Sequence, residues 1–195
     1  MNQIFYEYME TIKVIDGDIV NLKYHQDRYE GVLKHLGSSS IEDLSTHIKA
    51  PKKGLYRCRL LYDKNQISVS YHEYQKREIK SLKLVYDEID YSFKYSNRDN
   101  LDKLFSFKDG CDDILIVKSG LITDTSISNI AFYNKGVWIT PKSPLLKGTT
   151  RARLLEEGTI IEADIRVEDL KSFSKVALLN AMIGFDILDK YEILI

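Results

Sequence analysis

The sequence lacks the features that mark several large classes of protein. It contains no apolar run near the roughly 20 residues that a membrane helix requires. Its first residues do not follow the basic, apolar and small-residue order of a signal peptide. Basic residues are scattered and the net charge is −1, so no basic stripe is present to neutralise phosphates. We therefore expect a protein that binds neither membranes nor nucleic acids.

Cysteine is also scarce, because the chain has only Cys58 and Cys111 among its 195 residues. These two residues do not form the ligand spacing of a metal site, and no metal is expected. They are typical instead of small, reduced core residues in a cytoplasmic protein. The hydrophobic content of 44% is ample for one packed domain or two small ones.

The first half of the chain alternates between strand and helix patterns. β-Branched and aromatic residues from Phe5 to Val14, followed by an Asp-Gly-Asp turn, predict a strand with a return strand to about Leu22. Apolar residues at helical spacing then predict a helix that ends at Gly37. Further predictions in this half are a short helix over 41–48, a β-hairpin over 55–74 and a strand over 82–86.

The second half repeats short strands at close spacing, which predicts a strand-rich domain. Its predicted strands span 114–117, 121–124, 130–133, 137–140, 160–165 and 176–180. A glycine-containing loop leads into a predicted helix over 150–157. The expected fold class is α+β, with a small α/β domain over 1–88 and a larger strand-rich domain over 89–195. Lys94 falls near this boundary, where ligand sites are common.

A chemical hypothesis can be built around Lys94. Pyridoxal 5′-phosphate needs a lysine that holds its aldehyde as a Schiff base and then moves protons. It also needs a carboxylate at the pyridine nitrogen, and N–H groups, hydroxyls and an arginine at the phosphate. Candidates for these roles follow Lys94 along the chain, and Arg28 lies on the first helix. The later candidates are Asp124, Gly148 to Arg151, and Asn180 to Met182.

Each candidate has a simpler explanation when it is taken alone. Lys94 is one of 28 lysines and arginines, and most such residues are surface charges. Asp124 also suits a turn, and the Thr149-Thr150 pair suits an ordinary helix N-cap. Arg28 on a helix favours a weak surface ion pair, and Asn180 favours a bond to neighbouring backbone. The hypothesis therefore depends on the order of the whole set.

That order resembles the class IV aminotransferase family, the fold-type IV pyridoxal phosphate enzymes, over nearly the whole chain. The matching segments are Met9 to Gly17 (Phe-Glu-Thr-Ile-Arg-Val-x-Asp-Gly in the family), His25 to Tyr29 (His-x-x-Arg-Leu), Lys94 to Asn97 (Lys-x-x-Asn), Gly120 to Asp124 (Gly-x-Val-Thr-Glu), Ser128 to Phe132 (Ser-Asn-Ile-Phe), Thr140-Pro141 (Thr-Pro) and Gly148 to Arg151 (Gly-Ile-Thr-Arg). Asp124 departs from the family glutamate and is one methylene shorter.

The resemblance implies a cofactor site and an assembly. Lys94 is implied to be the catalytic residue that bonds to the cofactor. Cofactor binding is implied for Arg28, Lys94, Asp124, Ser128, Asn129, Thr149, Thr150, Asn180 and Ala181. The resemblance further implies a small α/β lobe, a strand-rich barrel-like lobe and a homodimer that acts on a small molecule.

Within the family, Asn97 and Arg98 most resemble aminodeoxychorismate lyases, in which an arginine follows the asparagine. Asp99 stands where branched-chain aminotransferases have a tyrosine. The implied reaction converts 4-amino-4-deoxychorismate to 4-aminobenzoate and pyruvate in folate synthesis, with Asn97 and Arg98 at the substrate. The family's leading strand and Asp-Arg-Gly loop are not expected in this chain. Two alternatives therefore stay open: a class IV aminotransferase for D- or branched-chain amino acids, and a pyridoxal phosphate-binding or interaction protein without turnover.

Overall fold

The computed structural model describes residues 7–194, which form two compact units. The first unit consists of residues 7–76 and 93–97, and the second of residues 77–92 and 98–194. Both units combine helices with β-sheets, as an α+β fold requires. The predicted start of the first strand at Phe5 lies outside the described residues. No helix among those described is long and apolar enough to cross a membrane.

The first unit is built on a four-stranded antiparallel sheet with the order β2-β1-β3-β4. Its strands are β1 (Tyr8–Ile15), β2 (Asp18–Ile19), β3 (Leu55–Tyr62) and β4 (Ile67–Glu73). Asp16 and Gly17 have φ angles of 49° and 95°, which let them form the tight turn between β1 and β2. The structure confirms the hairpin predicted over 55–74, whereas β2 is shorter than predicted.

Helix α1 (Leu22–His35) packs on one face of this sheet. Its buried side chains Tyr29 and Leu33 share one core with Ile12 and Leu60 of the strands. The helix predicted up to Gly37 is confirmed. Gly37 follows the last turn with a φ of 73°, which glycine adopts without steric strain.

The short helix predicted over 41–48 is wrong. The segment contains only a single 3₁₀ turn at Leu44–Thr46. Its first two backbone N–H groups bond to side chains and not to the carbonyl groups of a preceding helical turn. Asp43 accepts a hydrogen bond at 2.8 Å from the backbone two residues further on, and Gln26 accepts one from the N–H of Leu44 at 2.9 Å.

Residues 93–97 run alongside β1. The N–H of Met9 donates to the carbonyl of Lys94 at 2.9 Å, and Tyr8 pairs with Tyr95 as an isolated bridge. The rings of Phe93 and Tyr95 pack against the Tyr8 ring, with centroids 6.1 and 5.7 Å away. The backbone of Lys94 is therefore fixed by its bond to β1 and by the aromatic packing of both its neighbours.

The second unit contains two sheets, one with the order β13-β5-β6-β7 and the other with the order β10-β9-β8-β11-β12. Buried aliphatic residues of both sheets, among them Leu115, Ile130 and Leu178, form one core. The strands are β5 (Ser81–Tyr86), β6 (Asp113–Lys118), β7 (Leu121–Thr125), β8 (Asn129–Asn134), β9 (Val137–Pro141), β10 (Ile160–Ala163), β11 (Lys175–Asn180), β12 (Gly184–Ile187) and β13 (Glu192–Leu194).

Helices α2 (Asp99–Phe105) and α3 (Thr149–Glu156) and the 3₁₀ turns Ser106–Lys108 and Val167–Ser172 complete the second unit. The predicted hairpins β6-β7 and β8-β9 and the helix α3 are confirmed. The sequence did not predict α2, β12 or β13. It also put the domain boundary after residue 88, whereas β5 belongs to the second unit because it pairs in parallel with β6 and β13.

Candidate active site

The residues selected from the sequence fall into two groups, one in each unit. Arg28, Lys94 and Asn97 belong to the first unit. The second unit contains Arg98, Asp124, Ser128, Asn129, Thr149, Thr150, Asn180 and Ala181.

Two residues that the sequence analysis did not select, Glu10 and His25, form a buried network with Arg28. Glu10 lies on β1 between core residues and is fully buried. Its Oε1 accepts a hydrogen bond from Arg28 Nε at 2.7 Å, and its Oε2 accepts one from Arg28 Nη2 at 2.5 Å. His25 Nδ1 lies 2.6 Å from the same Oε2. A charged residue at a core position of an apolar strand was the sequence signal that could have revealed this network.

The Glu10 carboxylate is ionised at neutral pH. Burial acts to raise the pKa of Glu10, but the Arg28 charge and the hydrogen bonds from His25 and Arg28 outweigh it and lower that pKa to about 2. The ionised carboxylate has no proton to donate, so His25 Nδ1 carries the hydrogen of their bond. Burial lowers the pKa of His25 against the opposing effect of Glu10, and the charges of Arg28 and Lys94 add to the lowering. Lys94 is therefore close enough to influence the charge of this network.

Asp124 lies on β7 and is buried within the second unit. Its Oδ1 accepts a hydrogen bond from Asn129 Nδ2 at 2.8 Å, and its Oδ2 accepts one from the N–H of Leu146 at 2.9 Å. Burial raises the pKa of Asp124 to about 7, although these bonds and the Arg151 charge act to lower it. Within the second unit, over residues 77–92 and 98–194, no lysine or arginine forms an ion pair with Asp124. The negative charge of this carboxylate is therefore only partly stabilised.

Asn129 holds the loop before α3 against Asp124. Its Nδ2 also donates to the carbonyl of Leu146 at 2.8 Å. A Cβ at Gly148 would lie 2.0 Å from Asn129 Oδ1, so only glycine fits there without a shift. The buried Thr149-Thr150 pair then begins the helix. The first turn of a helix presents N–H groups that lack partners within the helix, an arrangement suited to a phosphate.

Ser128 and Asn180 join the loop after β7 to the end of β11. Asn180 Nδ2 donates to Ser128 Oγ at 2.9 Å. Asn180 Oδ1 accepts hydrogen bonds from the N–H groups of Met182 at 2.9 Å and Ile183 at 3.1 Å. These bonds close the turn that contains Ala181. The side chain of Asn180 therefore fixes this turn beside the β7-β8 loop.

Arg98 precedes α2 and holds the same β7-β8 loop. Its Nη2 donates to the carbonyl of Ser126 at 2.9 Å, and its Nη1 donates to the Tyr91 hydroxyl at 3.3 Å. Its Nε lies 3.5 Å from a carboxylate oxygen of Asp102. These contacts give Arg98 a structural role. The substrate contacts expected for Asn97 and Arg98 stay a prediction.

Comparison with known proteins decides the family. Residues 7–187 match the family described as amino-transferase class IV. The chain belongs to the class IV aminotransferase family. An uncharacterized protein of Haemophilus influenzae is 38% identical over 186 residues, which cover 92% of this chain and 99% of that protein.

Two crystal structures are similar to this chain in fold as well as in sequence. One, from Haemophilus somnus and described provisionally as a 4-amino-4-deoxychorismate lyase, is 37% identical with a TM-score of 0.87, covering 94% of this chain and 100% of that chain. The other, from Mesorhizobium loti and described provisionally as an amino-acid aminotransferase, is 25% identical with a TM-score of 0.82, covering 97% and 100%. The predicted family and fold-type IV architecture are confirmed. The protein is a pyridoxal phosphate-dependent enzyme.

Proposed function

We propose that this enzyme is a lyase that converts 4-amino-4-deoxychorismate to 4-aminobenzoate and pyruvate, a step of folate synthesis. The observation that carries the proposal is the similarity to the Haemophilus somnus protein, which extends over 94% of this chain. The Asn97-Arg98 pair adds support, because it matches the order of these residues in the lyases that the sequence resembles.

Lys94 is the proposed catalytic residue. Its amine would hold the cofactor through the aldehyde and, once free, would serve as a base. When bound, pyridoxal phosphate supplies an electron sink for the substrate. Lys94 Nζ takes the proton from the ring carbon that bears the substrate amine. The enolpyruvyl group then leaves with its oxygen, and the ring becomes aromatic. The fixed backbone around Lys94 limits where its amine can reach, which favours proton transfer at one carbon.

Asp124 is proposed to hold a proton at the pyridine nitrogen, and its surroundings fit that role. With a pKa of about 7, its carboxylate lacks full stabilisation within the second unit. A protonated nitrogen beside Asp124 adds the missing positive charge, and the carboxylate in turn keeps that nitrogen protonated. The hydrogen bonds from Asn129 and Leu146 fix the direction of the carboxylate before the cofactor arrives.

Arg28 and the Thr149-Thr150 pair are proposed to bind the cofactor phosphate. Two nitrogens of the Arg28 guanidinium donate to Glu10, so the Arg28 side chain is already ordered. Little side-chain freedom therefore remains to be lost when the phosphate binds. The threonines supply hydroxyls and N–H groups at the start of α3, where a helix favours negative charge. The remaining proposed cofactor contacts are Ser128, Asn129, Asn180 and Ala181.

The second candidate function is amino transfer between a D- or branched-chain amino acid and a keto acid. The similarity to the Mesorhizobium loti structure over 97% of the chain favours it. An aminotransferase must accept two substrates in turn, and the cofactor keeps the amino group of the first until the second arrives. A lyase requires only the first of these substrates. Asp99, at the position of the branched-chain enzymes' tyrosine, favours the lyase.

The decisive experiment supplies purified, cofactor-loaded protein with 4-amino-4-deoxychorismate. We expect the formation of 4-aminobenzoate, which is detected by its fluorescence, and of an equal amount of pyruvate. A parallel panel of D- and L-amino acids with 2-oxoglutarate measures amino transfer. Rapid amino transfer without 4-aminobenzoate would overturn the lyase proposal.

A separate measurement assigns the lysine. Borohydride reduction of the loaded protein, followed by peptide mass mapping, should place the pyridoxyl group on Lys94. The variant Lys94→Ala is expected to lose both reactions and the visible absorbance of the bound cofactor. A label on any other lysine contradicts the role of Lys94.

We also propose that the enzyme is a cytoplasmic homodimer. The family resemblance supports the dimer, and the buried free thiols of Cys58 and Cys111 are consistent with a reducing compartment. Light scattering over a range of protein concentrations measures the mass in solution. A monomer at every concentration contradicts the dimer.

A further inference from the structure

In the sheet of the first unit, one face packs against α1 and the opposite face carries several basic residues. Side chains alternate between the two faces along each strand. Tyr8, Ile12 and Val14 of β1 lie on the face that packs against α1. The opposite face carries Thr11 and Lys13 of β1, Arg57 and Arg59 of β3, and Ser70 and His72 of β4. We call these six residues the basic face.

Strand pairing arranges the basic face in two rows across the sheet. One row is formed by Thr11, Arg59 and Ser70, and the other by Lys13, Arg57 and His72. The rows are two residues apart along each strand, or about 7 Å. Lys13 lies directly opposite Arg57, and like charges in that position destabilise a strand pair. Folding alone therefore does not explain this arrangement.

Acidic partners for these cations are not found within the described residues. No ion pair or hydrogen bond involves the side chains of Lys13, Arg57 or Arg59 between residues 7 and 194. The one acidic residue that the described strand pairs place on this face is Asp18, opposite Ile15 at the far end of β1. The basic face therefore offers net positive charge that an anionic ligand can neutralise.

Register places Lys94 on the same side of the sheet. The N–H of Met9 donates to the carbonyl of Lys94 at 2.9 Å, and Tyr8 pairs with Tyr95, so Lys94 lies opposite Met9. Met9 is two residues before Thr11 and shares its face. The row that contains Arg59 is therefore the nearer of the two rows to the lysine.

We infer that the basic face binds the carboxylates of a substrate that carries two of them. Arg59 binds the carboxylate nearer to the reacting amine, and the Lys13-Arg57 pair binds the second one. The inference rests on the proposed function for the role of Lys94, and it deepens that function by naming the residues that select the substrate. 4-Amino-4-deoxychorismate has two carboxylates, whereas a branched-chain amino acid has one.

The test measures equilibrium binding of isophthalate, an aromatic dicarboxylate, to the cofactor-loaded protein by calorimetry. We expect Arg59→Gln and Arg57→Gln each to weaken binding by about 10-fold to 100-fold, the range for hydrogen bonds to charged groups. Arg59→Lys should restore part of the affinity lost in Arg59→Gln. Lys64→Gln removes the same charge from the exposed β3-β4 turn and should change affinity less than twofold.

Two further readouts separate a binding role from a structural one. The uncharged analogue isophthalamide should bind wild type and variants alike, because it has no charge for the basic face to recognise. Arg57→Gln should keep or raise the thermal midpoint, since it removes the repulsion with Lys13. Isophthalate affinities within twofold of wild type in both arginine variants overturn the inference, even where 4-aminobenzoate forms. Loss of isophthalate affinity in a protein that forms no 4-aminobenzoate supports the inference and rejects the lyase.

Discussion

Arg28 and Glu10, which are 18 positions apart in the chain, are joined by two hydrogen bonds of 2.7 and 2.5 Å. The pair ties helix α1 to strand β1 through a carboxylate that is fully buried. It also fixes the orientation of the Arg28 guanidinium, because two N–H groups that donate to one carboxylate allow the guanidinium little rotation. Stability and cofactor binding should therefore both depend on Glu10, although Glu10 itself touches no reacting atom in the proposed reaction.

The first prediction concerns stability. Glu10→Gln removes the charge that balances Arg28 in a buried site, and breaking a buried ion pair in this way costs about 3–5 kcal/mol. We expect the free energy of unfolding in urea to fall by about 3 kcal/mol, since the amide still accepts one hydrogen bond. The matched control is Glu30→Gln, which removes a surface pair with Lys34 and should cost under about 0.5 kcal/mol. Equal losses in the two variants would show that Glu10 is not a special partner.

The second prediction is the pH dependence of that stability. The pKa of Glu10 is 4.5 in its ordinary state and about 2 in the folded protein. The unfolded chain therefore binds more protons between these values, and stability falls as pH is lowered. The contribution of Glu10 is fully present above about pH 4.5 and is lost as the pH approaches 2. Urea titrations at a series of pH values should show that the free energy of unfolding falls less between pH 4.5 and 2 for Glu10→Gln than for wild type. Equal losses in the two proteins contradict the assignment.

The third prediction separates the phosphate from the ring of the cofactor. Arg28→Ala should weaken the affinity for pyridoxal phosphate by about 1.5–3 kcal/mol, the range for hydrogen bonds to charged groups. The affinity for pyridoxal, which has no phosphate, should change much less. Fluorescence titration of the apo protein with both compounds gives the two affinities. A loss of equal size for both means that Arg28→Ala acts through the Glu10 network and not through the phosphate.

Local patterns in the sequence accounted for most of the elements but not for the Glu10 network. Helix α1 and the β3-β4 hairpin have strong apolar periodicity, so they could be predicted from neighbouring residues alone. Helix α2 is short, with only Leu101 and Leu104 buried, and its periodicity is correspondingly weak. Strand β12 has only four residues and pairs with the preceding strand β11, so it is too short to show a clear alternating pattern. Strand β13 has three residues and pairs with β5, which lies far earlier in the chain.

The site shows the same division between local and distant information. The motif order identified Lys94 and Asp124 as candidates, because each motif lies within a few consecutive residues. The bonds from His25 and Arg28 to Glu10 span 15 and 18 positions, so no local pattern contains both ends. The basic face likewise appears only when β1, β3 and β4 are placed in register, since its residues come from separate strands.

The fourth prediction concerns the ring nitrogen. Asp124→Asn keeps the size of the side chain but removes the charge that holds a proton on the pyridine nitrogen. We expect cofactor content to remain near that of wild type while turnover falls by roughly 100-fold or more, the usual scale for a lost proton-holding group. Asp164→Asn, an exposed aspartate in the same unit, is the control and should keep full turnover. If Asp124→Asn retains activity within a few-fold, the residue only supports the turn.

The last prediction uses two glycines that differ in their surroundings. At Gly148, an added Cβ would lie 2.0 Å from Asn129 Oδ1, and Asn129 cannot move without loosening its bond to Asp124. Gly148→Ala should therefore lower the free energy of unfolding by about 1–3 kcal/mol, as overpacked sites do. It should also weaken cofactor binding, because the shift changes the start of α3. Gly31, in the middle of α1, has no atom within 4 Å of an added Cβ.

Gly31→Ala is therefore the matched control for Gly148→Ala. The same methyl group placed at residue 31 should raise the free energy of unfolding by about 0.5–1 kcal/mol, because alanine favours a helix interior more than glycine does. Cofactor affinity should not change, since residue 31 meets no neighbouring group there. Urea denaturation should show a lower free energy of unfolding for Gly148→Ala and a higher one for Gly31→Ala. Cofactor titration should show weaker binding for Gly148→Ala only. Gly148→Ala with wild-type stability and cofactor affinity would mean that Asn129 can turn away freely and does not hold Asp124 in place.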